Sequence, residues 1–232
     1  MNEPTLNMLN ASKWYHQGNS RIAGLDQVSL QLLHGEFACL CGPSGSGKTT
    51  LLNVAGGLDQ VESGQVIVDG EHLETMRPAQ LSKLRLQRLG FVFQSLNLIP
   101  VLSARENVEF VMQMQGVAVS ERRTRATEVL AQVGLAGLED RRPGELSGGQ
   151  QQRVAVARAI ASRPALILAD EPTANLDSKT ASELMDLLLR INHEDRTTFL
   201  ISTHDLRITS KAQRILNIKD GKLVSDSRQT EA

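Results

Sequence analysis

Gly42-Pro43-Ser44-Gly45-Ser46-Gly47-Lys48-Thr49 fits the pattern Gly-x-x-x-x-Gly-Lys-Ser/Thr at every fixed position. Average composition yields that pattern in about one chain in a hundred of this length. Its flanks make it rarer. Phe37-Ala38-Cys39-Leu40-Cys41 reads as a buried strand before it, and a helix is expected to begin over Lys48–Gly56. Glycines let backbone N–H groups turn inward, and the following helix directs its positive end at the same spot. That is what a chain of anionic phosphates requires. Lys48 is expected to reach the β- and γ-phosphates of a nucleotide, and Thr49 to bind Mg²⁺ through its hydroxyl. The expected ATP-binding set is Gly42, Pro43, Ser44, Gly45, Ser46, Gly47, Lys48, Thr49 and Thr50.

A second stretch, Leu166-Ile167-Leu168-Ala169-Asp170-Glu171, is an apolar strand ending in two carboxylates. Open α/β sheets present the C-terminal ends of their strands to the ligand. Asp170 is then expected to support Mg²⁺, and Glu171 to orient and activate the attacking water, since a metal-bound carboxylate is a poor base. An acidic pair in this position could alternatively cap the next helix.

Leu146-Ser147-Gly148-Gly149-Gln150 has similar physics. Ser147 and the Gly148-Gly149 backbone offer donors, and Gln150 is read as opening a helix over Gln150–Ser162 whose positive end can face a phosphate. The alternative is a plain helix-start turn. Together, with Leu146–Gln150 lying between the other two in the chain, the three stretches resemble the ATP-binding cassette (ABC) family, whose signature motif is Leu-Ser-Gly-Gly-Gln.

The resemblance implies an α/β P-loop NTPase fold, with a mostly parallel core sheet, an antiparallel β subdomain and an inserted helical subdomain near 95–162. It also implies a homodimer holding two ATPs, in which Leu146, Ser147, Gly148, Gly149 and Gln150 of one copy close over ATP bound by the other. Gln94 looks like the glutamine that senses Mg²⁺ and water, His204 like the histidine that contacts the γ-phosphate, and Asp177 like the acid at the dimer seam. The implied catalytic set is Glu171, His204, Gln94 and Lys48, and the implied metal set Thr49, Gln94 and Asp170. Tyr15, in Lys13-Trp14-Tyr15-His16, resembles the aromatic that stacks on adenine, with Trp14 as competing candidate.

Three stretches point to one branch: Gly56-Gly57-Leu58-Asp59, Gly90-Phe91-Val92-Phe93-Gln94-Ser95-Leu96-Asn97-Leu98-Ile99-Pro100, and Leu168 through Asp177. They are similar to the lipoprotein-release and macrolide-exporter (LolD/MacB-type) ATPases. Those ATPases partner an integral-membrane permease with a large extracytoplasmic domain. Ala174 stands where a glycine is common. Phe110–Gly116 replaces a more usual Pro-Leu-containing stretch near the expected permease contact. Leu96, Leu98, Ile99, Val101 and Leu102 form an apolar run that is either core or a groove for that permease. An ATPase that signals across the membrane to cell-wall enzymes shares all these motifs. A DNA or ribosome ATPase fits less well, because one cassette is present and no sustained heptads appear.

Bulk properties narrow the partners. The 232 residues carry a net charge of −1, so a general basic field for nucleic acid is absent. No apolar run approaches the roughly 20 residues that span a bilayer, and Met1-Asn2-Glu3-Pro4 does not open a secretory signal. The expected location is the cytoplasmic face of the inner membrane, touching it only through a separate permease. Cys39 and Cys41 read as small core side chains in a reducing compartment.

The remaining expectations are structural. One domain is expected over 1–232, with short antiparallel strands in residues 5–40 and a turn at Ser63-Gly64. Strands are expected at Gln65–Val68, Gly90–Gln94, Leu166–Ala169, Thr198–Ser202 and Ile215–Ile218. Helices are expected from Pro78 to about Leu89, across much of 95–162, and over Lys179–Ile191. Lys219-Asp220-Gly221-Lys222 should turn a C-terminal hairpin, with the polar tail frayed from about Ser225.

Overall fold

The computed structural model describes residues 3–18, 20–204 and 209–228. Its core is a six-stranded sheet made of β3 (Phe37–Cys41), β6 (Leu89–Val92), β7 (Leu166–Asp170), β8 (Thr198–Thr203), β9 (Arg214–Lys219) and β10 (Lys222–Arg228). The order is β10-β9-β3-β8-β7-β6, with every pairing parallel except β9 with β10. A second sheet is antiparallel. It contains β1 (Pro4–Gln17), β2 (Ser20–Leu33), β4 (Ser63–Val68) and β5 (Glu71–His72), in the order β2-β1-β4-β5.

Successive strand residues face opposite sides of a sheet, and the core strands are apolar on both. Phe37, Cys39, Cys41, Ile167, Ala169, Phe199 and Ile201 join one buried cluster. Ala38, Leu40, Leu166, Leu168 and Leu200 join the other. The first cluster is completed by α3 (Ala104–Met114), α4 (Val119–Gln132), α5 (Gly148–Ala161) and α6 (Ser178–Asp195). The second holds α1 (Lys48–Ala55), α2 (Pro78–Arg88) and the inner face of the antiparallel sheet. The sheet is therefore covered on both faces, as a parallel sheet must be.

Several boundaries differ from the sequence reading, each for a physical reason. The antiparallel strands are not short: β1 and β2 each run for 14 residues. Ser63 pairs with Ser12 inside β4 rather than turning before it, and Gly64 (φ +88°) lies where a Cβ would meet the Asn10 carbonyl at 2.3 Å. β6 stops at Val92, which leaves Gln94 in the turn beyond.

Residues 95–103 are not helical. Leu96 and Asn97 take positive φ, and their carbonyls accept from Arg158 at 2.7 and 2.5 Å. Buried Asn107 donates to the carbonyls of Ile99, Leu102 and Ser103 and accepts the Ile99 N–H. α3 starts only at Ala104, behind a capping box between Ser103 and Glu106. α5 starts at Gly148, two residues before the expected Gln150.

The C-terminal turn forms as expected, with Asp220 and Gly221 both at positive φ. The frayed tail does not follow it. Ser225, Asp226, Ser227 and Arg228 pair along β9. Their polarity is that of an edge strand. Residues 229–232 lie outside the described part.

Candidate active site

The order β3-β8-β7-β6 places four loops side by side at the C-terminal edge of the sheet. After β3 come Lys48 and Thr49, after β8 His204, at the end of β7 Asp170 and Glu171, and after β6 Gln94. A cleft of about 430 Å³ opens there, walled by Tyr15, Gly24, Ser44, Gly45, Gly47, Lys48, Thr49, Thr50, Gln94, Asp170 and Glu171. A larger cleft, about 800 Å³, lies at the opposite edge, but its four arginines (88, 125, 163 and 196) are offset by Glu3, Asp69 and Asp195. Volume alone does not choose the site.

The glycine loop is built as its spacing requires. Gly45 and Gly47 take φ of +76° and +108°. A Cβ on Gly42 would meet the Ile218 carbonyl at 2.3 Å, and one on Gly47 the Gly24 carbonyl at 2.4 Å. α1 has no side-chain cap, so the amides of its first turn remain available to an anion. Lys48 is buried, and its Nζ donates to the carbonyls of Gly42 (2.8 Å) and Pro43 (3.1 Å). The Ser46 hydroxyl is buried with no hydrogen-bond partner among the described residues. Ser46 also closes the loop, donating its N–H to Pro43 and accepting that of Gly221.

The carboxylates form one connected group with these residues. Thr49 Oγ1 donates to Asp170 Oδ2 at 2.9 Å. Ser202 Oγ donates to Asp170 Oδ1 at 2.5 Å and accepts the Glu171 N–H at 2.9 Å. Glu171 sits at φ +45°, a conformation costly for a non-glycine residue and common at functional sites. One of its oxygens lies 3.7 Å from Lys48 Nζ, the other 3.0 Å from His204 Nδ1. Asp205, next to His204, lies outside the described residues. The carboxylates are thus not spent on capping: the cap of α6 is Asp177.

Thr49 and Asp170 also suit the metal that the sequence suggests. Among the described residues no group of three or more His, Cys, Asp or Glu is arranged to hold a metal ion by itself. Mg²⁺ takes one or two protein oxygens and fills its octahedron with water and phosphate. A hydroxyl and a carboxylate 2.9 Å apart beside a phosphate loop fit that ion and would not make an all-protein metal cage. Gln94 is exposed on the same cleft, its backbone carbonyl receiving Asn175 Nδ2 at 3.4 Å.

Tyr15 walls the cleft, and Trp14 is not among its lining residues. Alternation along β1 turns Trp14 the other way, where Arg21 stacks on it with its guanidinium carbon 4.6 Å from the ring centroid. The signature residues lie apart from this cleft. Leu146 is buried in the helical cluster and Ser147 caps α5. A Cβ on Gly149 would meet Thr180 Cγ2 at 2.7 Å, and Thr180 donates to Asp177 at 2.6 Å. The structure therefore brings the signature and Asp177 together and keeps both out of the phosphate cleft.

One residue escaped the sequence reading as a site residue. Ser202 appears there only as the last residue of the expected strand Thr198–Ser202. Its signal was a hydroxyl closing the apolar run Phe199-Leu200-Ile201, opposite Asp170 in register.

Residues 25–174 match the family model described as ABC transporter. The chain is 46% identical over 213 residues to the lipoprotein-releasing system ATP-binding protein LolD of Bordetella avium, covering 92% of this chain and 93% of that one. It is 43% identical over 232 residues to the macrolide export ATP-binding/permease protein MacB of Hyphomonas neptunium, where it spans 36% of that protein's length. A solved structure of the ATP-binding cassette MJ0796 of Methanocaldococcus jannaschii superposes with a TM-score of 0.90 at 41% identity, covering 98% of this chain and 100% of that one. That structure is a dimer in a post-hydrolysis state bound to ADP and Pi. The chain belongs to the ABC transporter family. Within it, the chain is an ATP-binding, ATP-hydrolysing cassette of the LolD/MacB branch.

Proposed function

We propose that two copies of this chain close around two ATPs and use hydrolysis to drive a separate membrane permease with an extracytoplasmic domain. The observation that carries the catalytic part is Glu171, held by its two oxygens between Lys48 and His204 and one residue from Asp170. In this reading the free amides of α1 and Lys48 bind the β- and γ-phosphates. Tyr15 stacks on adenine, and Thr49 and Asp170 hold Mg²⁺. When bound, the ion neutralises charge developing on the phosphate oxygens. Glu171 orients a water on the γ-phosphorus and takes its proton as the new P–O bond forms and the bond to the β–γ bridging oxygen breaks, releasing ADP, while His204 fixes the carboxylate and faces the γ-phosphate.

Ser147 with the first turn of α5 supplies the second phosphate cradle, used by the ATP of the other copy. Among the described residues no helix is long and apolar enough to cross a membrane, so membrane contact is assigned to the permease. The turn after Gln94 is the proposed coupling surface. It exposes Val101 at 71%, and α3 beyond it exposes Phe110 and Met114. The helices between about 95 and 162 form the unit that carries this surface.

One experiment reads the proposal. Tagged Glu171→Gln should still bind ATP, lose about a hundredfold or more in turnover, and accumulate as a dimer on size exclusion. Captured from native membranes in ATP, it should carry an integral-membrane protein with a large external domain. Undiminished turnover removes Glu171 from its role. Capture with ribosomes, DNA or no membrane protein overturns the permease assignment.

A further inference from the structure

Gly56-Gly57-Leu58-Asp59 has no role in the phosphate chemistry, yet its N–H groups, the Gly57 carbonyl and both Asp59 oxygens are all hydrogen-bonded. It is the C-terminal cap of α1. Gly57 takes φ +59° and its N–H returns to the Val54 carbonyl, while the N–H groups of Leu58 and Asp59 both return to Asn53. A Cβ on Gly56 would strike the Phe91 ring at 2.7 Å, and Arg85 donates to the Gly57 carbonyl at 2.6 Å. The backbone leading into Asp59 is therefore fixed from several sides.

Asp59 uses both of its oxygens. Oδ1 receives Lys13 Nζ at 2.7 Å and the Gln60 N–H at 2.8 Å. Oδ2 receives the Tyr15 hydroxyl at 2.8 Å. Lys13 also lies over the Tyr15 ring, 5.5 Å from its centroid. The Cδ2–Cε2 edge of the ring packs on Gly24 so closely that a Cβ there would sit 2.6 Å from Cε2. Tyr15 is 40% exposed and stands on the wall of the cleft that contains Thr50 and the phosphate loop. An exposed tyrosine ring ordinarily samples several rotamers. This one is held at its tip by a carboxylate anchored to the far end of the phosphate-binding helix.

We propose that Asp59 is a positioning residue for nucleotide binding, which locks the Tyr15 ring at a fixed distance from the phosphate loop so that base and triphosphate are engaged in register. α1 is the ruler: its first turn faces the phosphates, and its cap, about 12 Å along the axis at 1.5 Å per residue, carries the carboxylate that holds the ring. The role rests on the reading of Tyr15 as the base-stacking residue. It predicts that Asp59 matters for ligands with a base and not for the phosphate chain alone.

The test compares ATP with inorganic tripolyphosphate, which has no base, on the purified full chain. Tyr15→Ala and Asp59→Ala should each raise KM for ATP about three- to tenfold, the cost of immobilising a freed side chain. Both should keep kcat within about twofold and leave tripolyphosphate affinity unchanged. Asp59→Ala should add nothing further in a Tyr15→Ala background. Asp59→Asn, which keeps an acceptor for the tyrosine hydroxyl, should recover most of the loss. If Tyr15→Ala raises KM and Asp59→Ala does not, stacking stands and the positioning role falls. If Tyr15→Ala has no effect, the stacking reading fails and takes the proposal with it. A matching loss of tripolyphosphate affinity in Asp59→Ala marks a merely structural residue and also overturns the proposal. Should Asp59→Ala fail to fold, Tyr15→Phe deletes only the hydroxyl that the carboxylate holds. It should raise KM in the same way, and an unchanged KM would sink the idea.

Discussion

Ser202 is fully buried at the end of β8, and its single hydroxyl serves both carboxylate residues. By donating to Asp170 Oδ1 it turns Oδ2 toward Thr49. It also accepts the Glu171 N–H, a donor it shares with its own backbone carbonyl at 3.2 Å, and so fixes the peptide leading into the left-handed Glu171. Ser202→Ala removes both side-chain bonds; the Glu171 N–H keeps the Ser202 carbonyl, but Asp170 Oδ1 loses this donor, which costs about 1–3 kcal/mol of stability. It should also lower turnover or magnesium affinity about ten- to a hundredfold, as loss of an outer hydrogen bond to a metal carboxylate does. Magnesium titration of ATPase rate checks this, and an unchanged half-saturation would leave Ser202 a packing residue. The structure gathers Lys48, Thr49, Asp170, Glu171 and His204 at one cleft, the first four named in the sequence by motif spacing and His204 by resemblance. The sequence reading missed the role of Ser202 because a hydroxyl closing an apolar strand has no spacing of its own. Only the pairing of β7 with β8 shows what it faces. Cys39 and Cys41 were legible as core residues, and burial pushes the Cys39 thiol up to about 12.

At the scale of elements, the strands that carry the site were read almost to the residue. They are apolar on both faces, and few other structures tolerate such runs. Ends governed by tertiary contacts were read poorly. The turn at 95–103 depends on Asn107 and Arg158, and β10 depends on Arg214. That arginine is buried, donating to both oxygens of Asp226 at 2.8 and 2.6 Å and to Glu36 at 2.8 Å, with Arg228 reaching Glu36 as well. The Arg214 bonds, opposed by burial, hold the Asp226 carboxyl below the usual aspartate range. A carboxylate with a depressed folded value stabilises the fold above its unfolded value and loses that contribution as pH falls through the folded one. Asp226→Asn should therefore destabilise the protein by about 1 kcal/mol near neutral pH, a modest figure because solvent screens a side chain that is 37% exposed. Urea midpoints of the two proteins should converge once the pH is well below about 4. A gap that persists in acid would mean that packing along β10, and not the ion pair, holds the strand.

At the scale of the molecule, one chain carries two candidate places for phosphate that do not meet. The cleft at the end of the sheet has the lysine, the carboxylates and the tyrosine. The start of α5 has an exposed Ser147 and free glycine amides beside Asp177, and it contributes nothing to that cleft. If each ATP lies between the cleft of one copy and the α5 start of another, defects in the two places should complement. Lys48→Ala removes the cation from the cleft. Ser147→Asp keeps a good helix cap, since aspartate accepts the same amide, but sets a negative charge where a phosphate would approach. Each variant alone has no intact shared site and should be inactive. Mixed in equal amounts, half of the dimers contain one copy of each. Such a dimer pairs the intact cleft of the Ser147→Asp copy with the intact α5 of the Lys48→Ala copy, so up to about a quarter of wild-type turnover should return. ATPase rate against mixing ratio should then peak near equality. A flat line at zero would mean that both sites must work together or that no site is shared. Repeating the mixture with wild type against Ser147→Asp separates these cases. Strict two-site coupling leaves only what the wild-type homodimers supply, so the rate rises as the square of the wild-type fraction. After a flat first curve, activity linear in the wild-type fraction would instead show that each chain hydrolyses ATP with its own cleft and its own α5 start.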